Sequence, residues 1–381
     1  MSEAVRSPGA REERLVVTYL LSGGEAEARA RAKDVCFEQT VEFPEDLVPA
    51  GFIRDEVIGR VESMTRAGPE RFRAEISFPV DSTARELLQL MNVVFGNISI
   101  KPGIRVEWMN LPPTLLRSFR GPRFGRDGLR ACMKVSRRPL ICTALKPMGL
   151  SAVELAEQAR QFALGGIDLI KDDHGLTDQP YAPFVERVAR CSDAVAEANA
   201  RTGRRCVYVP NVTGRSDDLL GRAHEARRRG AGALLVSPFL TGLDAMRQIA
   251  DDDGLALPIL AHPAFGGSYV TSETAGISHG ALYGQLMRLA GADASIYPNF
   301  GGRFSFTREE CEAIAAATAE PMGPIAPIFP APGGGMTVER AADMLEVYGR
   351  EFVLLIGAGL HRRGPDLAPN ARFFVDMLES M

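Results

Sequence analysis

The chain has 381 residues and a formal net charge of −4, and its 44 basic and 48 acidic residues are interspersed. Because this pattern offers no basic face, we expect neither a nucleic-acid partner nor binding to an anionic membrane surface. No apolar run reaches the roughly 20 residues of a membrane-spanning helix, and the amino terminus lacks the apolar core of a signal peptide, so a cytoplasmic protein is expected.

Residues 1–124 mix strand and helix patterns in a way that is typical of a small α+β domain. A segment rich in Pro, Gly and Arg at 111–128 predicts a connector to a second domain at 125–381. Two domains are expected because a chain of this length exceeds the usual size of one hydrophobic core. The predicted elements are a strand at Leu15–Leu21, a helix at Glu25–Phe37, strands at Ile53–Val61 and Phe72–Val80, a helix at Ala84–Phe95 and a strand at Ile104–Asn110.

Beyond residue 124 the pattern changes to short buried apolar runs, each followed by an amphipathic stretch. This repeat is typical of parallel strands covered by helices. Eight such units favour an α/β fold of the (β/α)8 TIM barrel class over an open doubly wound sheet. The runs are PLICTALK (139–146), IDLIKDD (167–173), CVYVPNVT (206–213), ALLVSPFL (233–240), PILAHPAF (258–265), ASIYPNF (294–300), PIAPIFPA (324–331) and FVLLIGAG (352–359).

Polar side chains occur at or just beyond the carboxyl ends of these runs, the face on which such barrels carry their chemistry. Lys171 and Asp173 are two residues apart and therefore point to the same side of a strand, and His174 can turn inward as the strand ends. One interpretation is a Mg²⁺ site, to which Lys171 could supply oxygen only as a carbamate; the other is a buried Lys–Asp ion pair. The strand-end residues are Lys146, Lys171, Asp173, His174, Asn211, His262 and Asn299.

Several motifs in this part of the chain resemble those of the RuBisCO large-chain family. GGIDLIKDDHG (165–175) resembles the family's G-G-x-D-x-x-K-D-D-E segment, and RPLICTALKPMGLS (138–151) resembles its R-P-L-x-x-x-x-x-K-P-x-x-G-L-S segment. YVPNVTG, FLTG, HPA, RLAGAD, GGG and GAG follow in the family's order. The resemblance covers residues 97–381 well, and it implies a RuBisCO-like protein of form IV rather than a true carboxylase.

The resemblance implies roles for the clustered residues. Lys171 is similar to the lysine that takes up CO₂ as a carbamate, and Asp173 is similar to a metal-ligand aspartate. His174 stands where the family has a ligand glutamate, which changes the donors offered to one Mg²⁺ per subunit. Lys146 resembles the base that enolises the substrate, if a one-residue gap is allowed, and His262 resembles a histidine that contacts the substrate.

Members of the family bind two phosphate groups of the substrate. The resemblance implies that this chain keeps one of the two phosphate sites. Pro263 replaces the arginine that holds one phosphate, so a monophosphate substrate is expected. Arg303 occupies the position of the family's mobile lysine, and the alternatives for it are an active-site cation or a loop residue in water. The other phosphate would lie on a nest of backbone amides, for which simple glycine turns are the alternative. The glycines concerned are Gly334, Gly335, Gly357 and Gly359.

Two residues of the first domain resemble family residues that reach the active site. They are Glu38, in FEQTVEF, and Asn97, in VFGN. In the family the glutamate arrives from the partner subunit. The resemblance therefore implies a homodimer or a higher oligomer.

The resemblance implies an enzyme that enolises a phosphorylated keto-sugar or keto-acid. We favour a decarboxylase of 3-oxo-isoapionate 4-phosphate, because the family's carboxylation residues are replaced. The alternatives are 5-methylthioribulose-1-phosphate isomerase and the enolase of methionine salvage. A further alternative, of another class, is a scaffold without catalysis, against which the retained Lys146, Lys171, Asp173 and Glu38 argue.

Three further histidines have simpler interpretations. His224 and His361 lie in Arg-rich polar stretches and are expected to be solvated. His279 lies near a predicted helix start, where capping or packing is the main interpretation and function the alternative.

Overall fold

The computed structural model describes residues 13–335 and 338–380, without the side chains of residues 338, 339, 341 and 342. The described residues form two compact units. One contains the residues up to 119 together with 269–278, and the other contains residues 120–268 and those from 279 onward. Within these ranges no helix is long and apolar enough to cross a membrane.

The first unit is an antiparallel sheet with short helices. Its elements are β1 (Arg14–Ser22), α1 (Glu25–Glu38), β2 (Arg60–Gly68), β3 (Arg71–Pro79), α2 (Leu87–Phe95), β4 (Ile104–Asn110), α3 (Pro113–Leu116) and, further along the chain, β10 (Gly276–Ile277). The sheet order is β10-β4-β1-β3-β2. β1 is central because it pairs antiparallel with both β3 and β4. Its residues Val17, Tyr19 and Leu21 are fully buried, and the Tyr19 hydroxyl donates a hydrogen bond to the Val94 carbonyl at 2.7 Å.

Two predictions for this unit were wrong in their boundaries. The strand predicted at Ile53–Val61 is a π-helical turn at Ile53–Val57, and the strand begins only at Arg60. β2 is an edge strand with mostly exposed residues, so no apolar alternation marks it. The helix predicted from Ala84 begins at Leu87, because Ala84 and Arg85 have left-handed backbone angles (φ 47° and 57°) that no α-helix contains.

The second unit alternates strands and helices. Its elements are α4 (Gly125–Met133), β5 (Leu140–Leu145), α5 (Ala152–Gly165), β6 (Leu169–Asp172), α6 (Phe184–Thr202), β7 (Val207–Val209), α7 (Ser216–Arg228), β8 (Leu234–Val236), α8 (Pro238–Thr241), α9 (Leu243–Asp251), β9 (Ile259–Ala261), α10 (Gly267–Val270, which runs into the first unit), α11 (Met287–Leu289), β11 (Ala294–Pro298), α12 (Arg308–Ala319), β12 (Phe329–Gly333), α13 (Val338–Tyr348), β13 (Val353–Leu355), α14 (Ala358–His361) and α15 (Leu367–Ser380).

The strands of this unit follow one another in chain order around a barrel. Two parallel sheets have the orders β13-β5-β6-β7 and β12-β11-β9-β8. A parallel bridge between Asn211 and Leu235 continues the ladder from β7 to β8, and β12 lies beside β13. The predicted fold, a (β/α)8 TIM barrel preceded in the chain by a smaller α+β domain, is therefore confirmed.

Each of the eight apolar runs contains a barrel strand, and seven of the strands begin near the start of their run. The exception is β12, which begins at Phe329 although its run begins at Pro324. Pro324 lies in a turn that the Ile325 N–H closes by donating to the Met322 carbonyl at 3.0 Å, so the strand begins further along the run. The barrel interior is filled by apolar residues from the strands, including Leu140, Leu169, Leu235, Leu260 and Phe329.

Candidate active site

The barrel strands bring the predicted polar residues to their carboxyl ends. Lys146 directly follows β5, Lys171 lies within β6, and Asp173 is the first residue after it. β5 and β6 are neighbours in parallel register, with Ala144 opposite Lys171. β9 lies elsewhere in the barrel, but the His262 ring that follows it stacks on the His174 ring with centroids 4.4 Å apart. These five residues thus form one group, which we call the strand-end cluster: Lys146, Lys171, Asp173, His174 and His262.

Asp173 is the hub of the strand-end cluster. Its Oδ2 accepts a hydrogen bond from Lys146 Nζ at 2.6 Å, and its Oδ1 faces the His174 backbone N–H at 2.8 Å and His174 Nδ1 at 2.9 Å. Burial acts to raise the pKa of Asp173, but the hydrogen bonds from His174 and Lys146 outweigh it and hold the pKa below its usual range. When neutral, His174 donates through Nδ1, which leaves the lone pair of Nε2 available for a ligand.

Lys171 is the buried amine of the cluster. It is 2% exposed, and its Nζ donates to the backbone carbonyl of Asp172 at 3.0 Å. Burial lowers the pKa of the Lys171 ammonium below its ordinary value. A lysine with a lowered pKa is more often the neutral amine, which is the form that combines with CO₂ to give a carbamate. The ion pair that does form in the cluster joins Asp173 to Lys146.

The side chains of the cluster could bind a divalent cation only if Lys171 contributes a ligand together with Asp173 and His174. Among the residues that the structure describes, no three His, Cys, Asp or Glu side chains form a group that could hold a metal ion. Asp173 and His174 supply one carboxylate and one imidazole, and a hard cation such as Mg²⁺ prefers more oxygen. A carbamate on Lys171 would supply that oxygen beside Asp173.

His262 presents a defined hydrogen-bond donor. Its Nδ1 accepts the backbone N–H of Ala264 at 3.2 Å, so the neutral ring carries its proton on Nε2. Burial lowers the pKa of His262 well below its ordinary value. The imidazole is therefore neutral near pH 7 and can donate from Nε2 to a substrate oxygen.

The predicted phosphate nest lies on adjacent strands. Gly334 and Gly335 follow β12 with φ of 90° and 93°, which favour glycine. A Cβ on Gly302 would lie 2.1 Å from the Gly334 carbonyl oxygen, so the loop after β11 lies against this turn. Arg303 in that loop is exposed, with its guanidinium 4.9 Å from the centre of the Phe304 ring. Gly357 precedes the four-residue helix α14, and Gly359 lies within it.

The predicted residues of the first unit contact each other. Asn97 Nδ2 donates to Glu38 Oε1 at 3.1 Å, and Lys101 Nζ donates to Glu38 Oε2 at 2.7 Å. The hydrogen bonds from Lys101 and Asn97 lower the pKa of Glu38. Glu38 is thus an oriented carboxylate at the end of α1.

Sequence reasoning placed Asp173 in the candidate site but assigned no role to its neighbour Asp172. Asp172 points away from the cluster and is fully buried, where it accepts from Arg187 Nε at 3.1 Å, the Tyr208 hydroxyl at 2.6 Å and the Asn211 backbone N–H at 3.0 Å. Arg187 is also fully buried. The strand alternation that puts Lys171 and Asp173 on one side also implies that Asp172 faces the opposite side.

A cavity beside Lys146 adds residues that the sequence did not suggest. It has a volume of 340 Å³ and is lined by Lys146, Pro147, Ala358, His361 and Arg362. The expectation that His361 is solvated was wrong: Nε2 is buried without a hydrogen-bond partner among the described residues, and the ring packs edge-on against Phe162 at 5.8 Å. His361, at the end of α14, packs against Phe162 of α5, a contact that its Arg-rich sequence context does not reveal.

The two other histidines are in structural surroundings. His224 is half-exposed and lies 3.0 Å from Asp252. The His279 ring is buried, packs edge-on against Phe306 at 4.4 Å and lies 3.4 Å from Glu310. These contacts favour the packing interpretation of His279.

Sequence comparison shows which known proteins this chain is similar to. Residues 127–366 match the family model described as the ribulose bisphosphate carboxylase large chain, catalytic domain. The chain is 40% identical to ribulose bisphosphate carboxylase-like protein 1 of Rhodopseudomonas palustris, over 95% of this chain and 96% of that protein. It is 37% identical to the 5-methylthioribulose-1-phosphate isomerase of Rhodospirillum rubrum, over 95% and 96%. It is 32% identical to the 2,3-diketo-5-methylthiopentyl-1-phosphate enolase of Geobacillus kaustophilus, over 91% and 87%.

Solved structures of RuBisCO and RuBisCO-like proteins have the same fold as this chain. A Rubisco-like protein from Rhodopseudomonas palustris superposes with a TM-score of 0.88 at 38% identity, covering 97% of this chain and 98% of that one. An octameric ribulose-1,5-bisphosphate carboxylase/oxygenase from Pyrococcus horikoshii superposes with a TM-score of 0.90 at 27% identity, covering 98% and 89%.

Proposed function

The chain belongs to the RuBisCO large-chain family, among its RuBisCO-like proteins, and from this premise we propose that it is an enzyme that enolises a small phosphorylated keto-sugar. The observation that carries the proposal is the strand-end cluster. It combines a buried amine, an ionised carboxylate, a neutral imidazole donor and a half-exposed lysine at the catalytic face of a barrel.

Each residue of the cluster has a part in this chemistry. Lys146 lines the 340 Å³ cavity and takes the proton from the carbon next to the substrate carbonyl. For this step the ion pair between Lys146 and Asp173 must first open. His262 donates from Nε2 to the oxygen on which negative charge develops. Carbamylated Lys171, Asp173 and His174 would hold one Mg²⁺ per subunit, which when bound supplies positive charge for the enolate oxygens.

The substrate we favour is 5-methylthioribulose 1-phosphate, converted by isomerisation. Support comes from the Rhodospirillum rubrum isomerase, which is 37% identical over 95% of this chain. The decarboxylation of 3-oxo-isoapionate 4-phosphate favoured in the sequence analysis runs through the same enolate, but none of the relatives described above is named for it. The Geobacillus kaustophilus enolase supports 2,3-diketo-5-methylthiopentyl 1-phosphate as the second candidate substrate.

Turnover assays separate these possibilities. The three compounds are each incubated with the protein, Mg²⁺ and bicarbonate, with Lys171→Met as the control. Conversion of 5-methylthioribulose 1-phosphate, lost in the variant, would support the isomerase. Release of CO₂ from the sugar acid, or tautomerisation of the diketone, would assign the decarboxylase or the enolase instead. If none of the three compounds is converted, the alternative of a non-catalytic scaffold protein would be favoured.

Arg362 is predicted to anchor the substrate's phosphate. It is exposed at the rim of the cavity that Lys146 lines, and it offers a cation on a surface that lacks the family arginine replaced by Pro263. Arg362→Gln should raise KM on the order of tenfold while kcat changes little, because a contact made equally to substrate and transition state affects binding alone. Arg363→Gln, one residue further on, is the control. A lowered kcat with unchanged KM would contradict this role.

We propose that the protein is a homodimer or a higher oligomer. The octameric Pyrococcus horikoshii enzyme, similar over 98% of this chain, supports this, as does the resemblance of Glu38 to a glutamate supplied by a partner subunit. Size-exclusion chromatography with light scattering should give a mass of at least twice 41.3 kDa. A mass of one chain at micromolar concentration would contradict it.

A further inference from the structure

A second cavity lies at the opposite end of the barrel from the strand-end cluster. It has a volume of 500 Å³ and opens where β5, β6 and β7 begin, whereas the cluster lies where strands end. We call it the basal cavity. Its lining residues are Met133, Lys134, Val135, Ser136, Arg137, Arg138, Gly166, Ile167, Asp168, Gly203, Arg204, Arg205, Cys206 and Glu379.

The charges that line the basal cavity are strongly unequal. Five are basic and two are acidic. The acidic residues are already engaged: Asp168 receives a bidentate pair from Arg138 at 2.6 and 2.9 Å, and Glu379 lies 3.3 Å from Arg204. The basic residues beyond these pairs are Lys134, Arg137 and Arg205, which are all exposed.

The dipoles of nearby helices offset only part of this excess of positive charge. The carboxyl ends of α4, α5 and α6 reach the cavity at Lys134, Gly166 and Gly203. Each helix end is equivalent to roughly half a negative charge, which favours nearby cations. Three such ends offset about one and a half of the surplus positive charges, so a surplus of one to two remains.

The floor of the cavity is rigid. Arg138 is 7% exposed, and besides Asp168 it donates to the Pro139 carbonyl at 2.9 Å. Asp168 in turn accepts the Ile141 backbone N–H at 2.8 Å. This hydrogen-bond network joins the starts of β5 and β6. The three exposed cations, Lys134, Arg137 and Arg205, therefore line a cavity whose floor is already ordered.

We propose that the basal cavity binds a small phosphate-bearing anion through Lys134, Arg137 and Arg205. Arginine and lysine recognise phosphate oxygens through charge-assisted hydrogen bonds. The volume of 500 Å³ lies within the range of small-molecule pockets, roughly 300–1,000 Å³. The site lies at the beginning of β6, whereas Lys171 lies near the end of the same strand, so it is separate from the catalytic face.

Protection of arginines from chemical modification tests the proposal at individual residues. The protein is treated with phenylglyoxal at constant ionic strength, with and without inorganic pyrophosphate, and the modified peptides are quantified by mass spectrometry. Pyrophosphate should slow modification of Arg137 and Arg205 at least fivefold, on the order expected for a charge-assisted contact. Arg190, exposed on the outer helix α6, serves as the reference. Unchanged rates at Arg137 and Arg205 would overturn the proposal, even if pyrophosphate binds at the catalytic face.

Calorimetry with matched variants provides the second measurement. R137Q/R205Q should weaken pyrophosphate binding on the order of tenfold. R160Q/R190Q removes the same charge from two arginines that pair with helix-neighbouring glutamates, and should bind within about twofold of the wild type. Equal affinity in the two double variants would sink the idea. Neither measurement depends on catalytic activity, so both are independent of the proposed enolisation.

Discussion

Lys171→Met is expected to lower kcat/KM about a thousandfold or more, the effect of removing a metal ligand and its charge stabilisation. Lys171 is 2% exposed within β6, and methionine has a similar length without the amine. The substitution therefore removes the buried amine of the cluster, whose lowered pKa favours carbamate formation. The measurement is steady-state turnover of the substrate identified in the assays above, with Mg²⁺ and bicarbonate.

Two controls separate chemistry from folding. Lys33→Met changes an exposed lysine of α1 and should leave kcat/KM within about twofold. Thermal unfolding of Lys171→Met should occur at or above the wild-type temperature, because burying an amine costs free energy that a thioether does not. With ¹³C-bicarbonate, a carbamate signal in the NMR spectrum of the wild type should vanish in the variant. A fully active Lys171→Met would contradict its role.

Arg187→Met is expected to destabilise the barrel by about 4 kcal/mol, because it leaves the Asp172 carboxylate buried without its cation. Both side chains are fully buried, and Arg187 also donates to the carbonyls of Ala182 at 2.6 Å and Thr177 at 2.7 Å. Those carbonyls would lose a charged donor as well. Urea unfolding measures the free energy.

The same helix offers a matched control for this prediction. Arg190 lies on α6 three residues further on, is exposed and pairs with Glu186. Arg190→Met should change the free energy of unfolding by no more than about 0.5 kcal/mol. Adding Asp172→Asn to Arg187→Met should recover part of the loss, because the unpaired charge is then removed. A loss below 1 kcal/mol for Arg187→Met alone would mean that the buried pair contributes little.

The barrel could be predicted from the sequence because its signals are periodic. Each strand is a short apolar run, and its end is marked by a polar residue such as Lys146, Asn211 or His262. Elements without a buried face gave no such signal. β2 is an exposed edge strand, and the apolar run that contains β12 opens with a turn, so both boundaries were misplaced.

The candidate site could be predicted in its members but not in their contacts. Alternation along β6 put Lys171 and Asp173 on one face, yet it could not indicate that Asp173 pairs with Lys146 at 2.6 Å. That pair depends on the register of β5 against β6, which is a property of the folded barrel. Arg362 escaped notice because its approach to Lys146 is set by the path of the chain through α14.

Incorporation of solvent deuterium tests the proposed enolisation most directly. The three phosphorylated substrates are incubated in D₂O with the protein, Mg²⁺ and bicarbonate, and followed by proton and phosphorus NMR. We expect the wild type to place deuterium on the carbon beside the carbonyl of one of them, and Lys146→Met to slow this at least a hundredfold, as for loss of a general base. No deuterium with any substrate, or equal rates in wild type and variant, would contradict enolisation at this cluster.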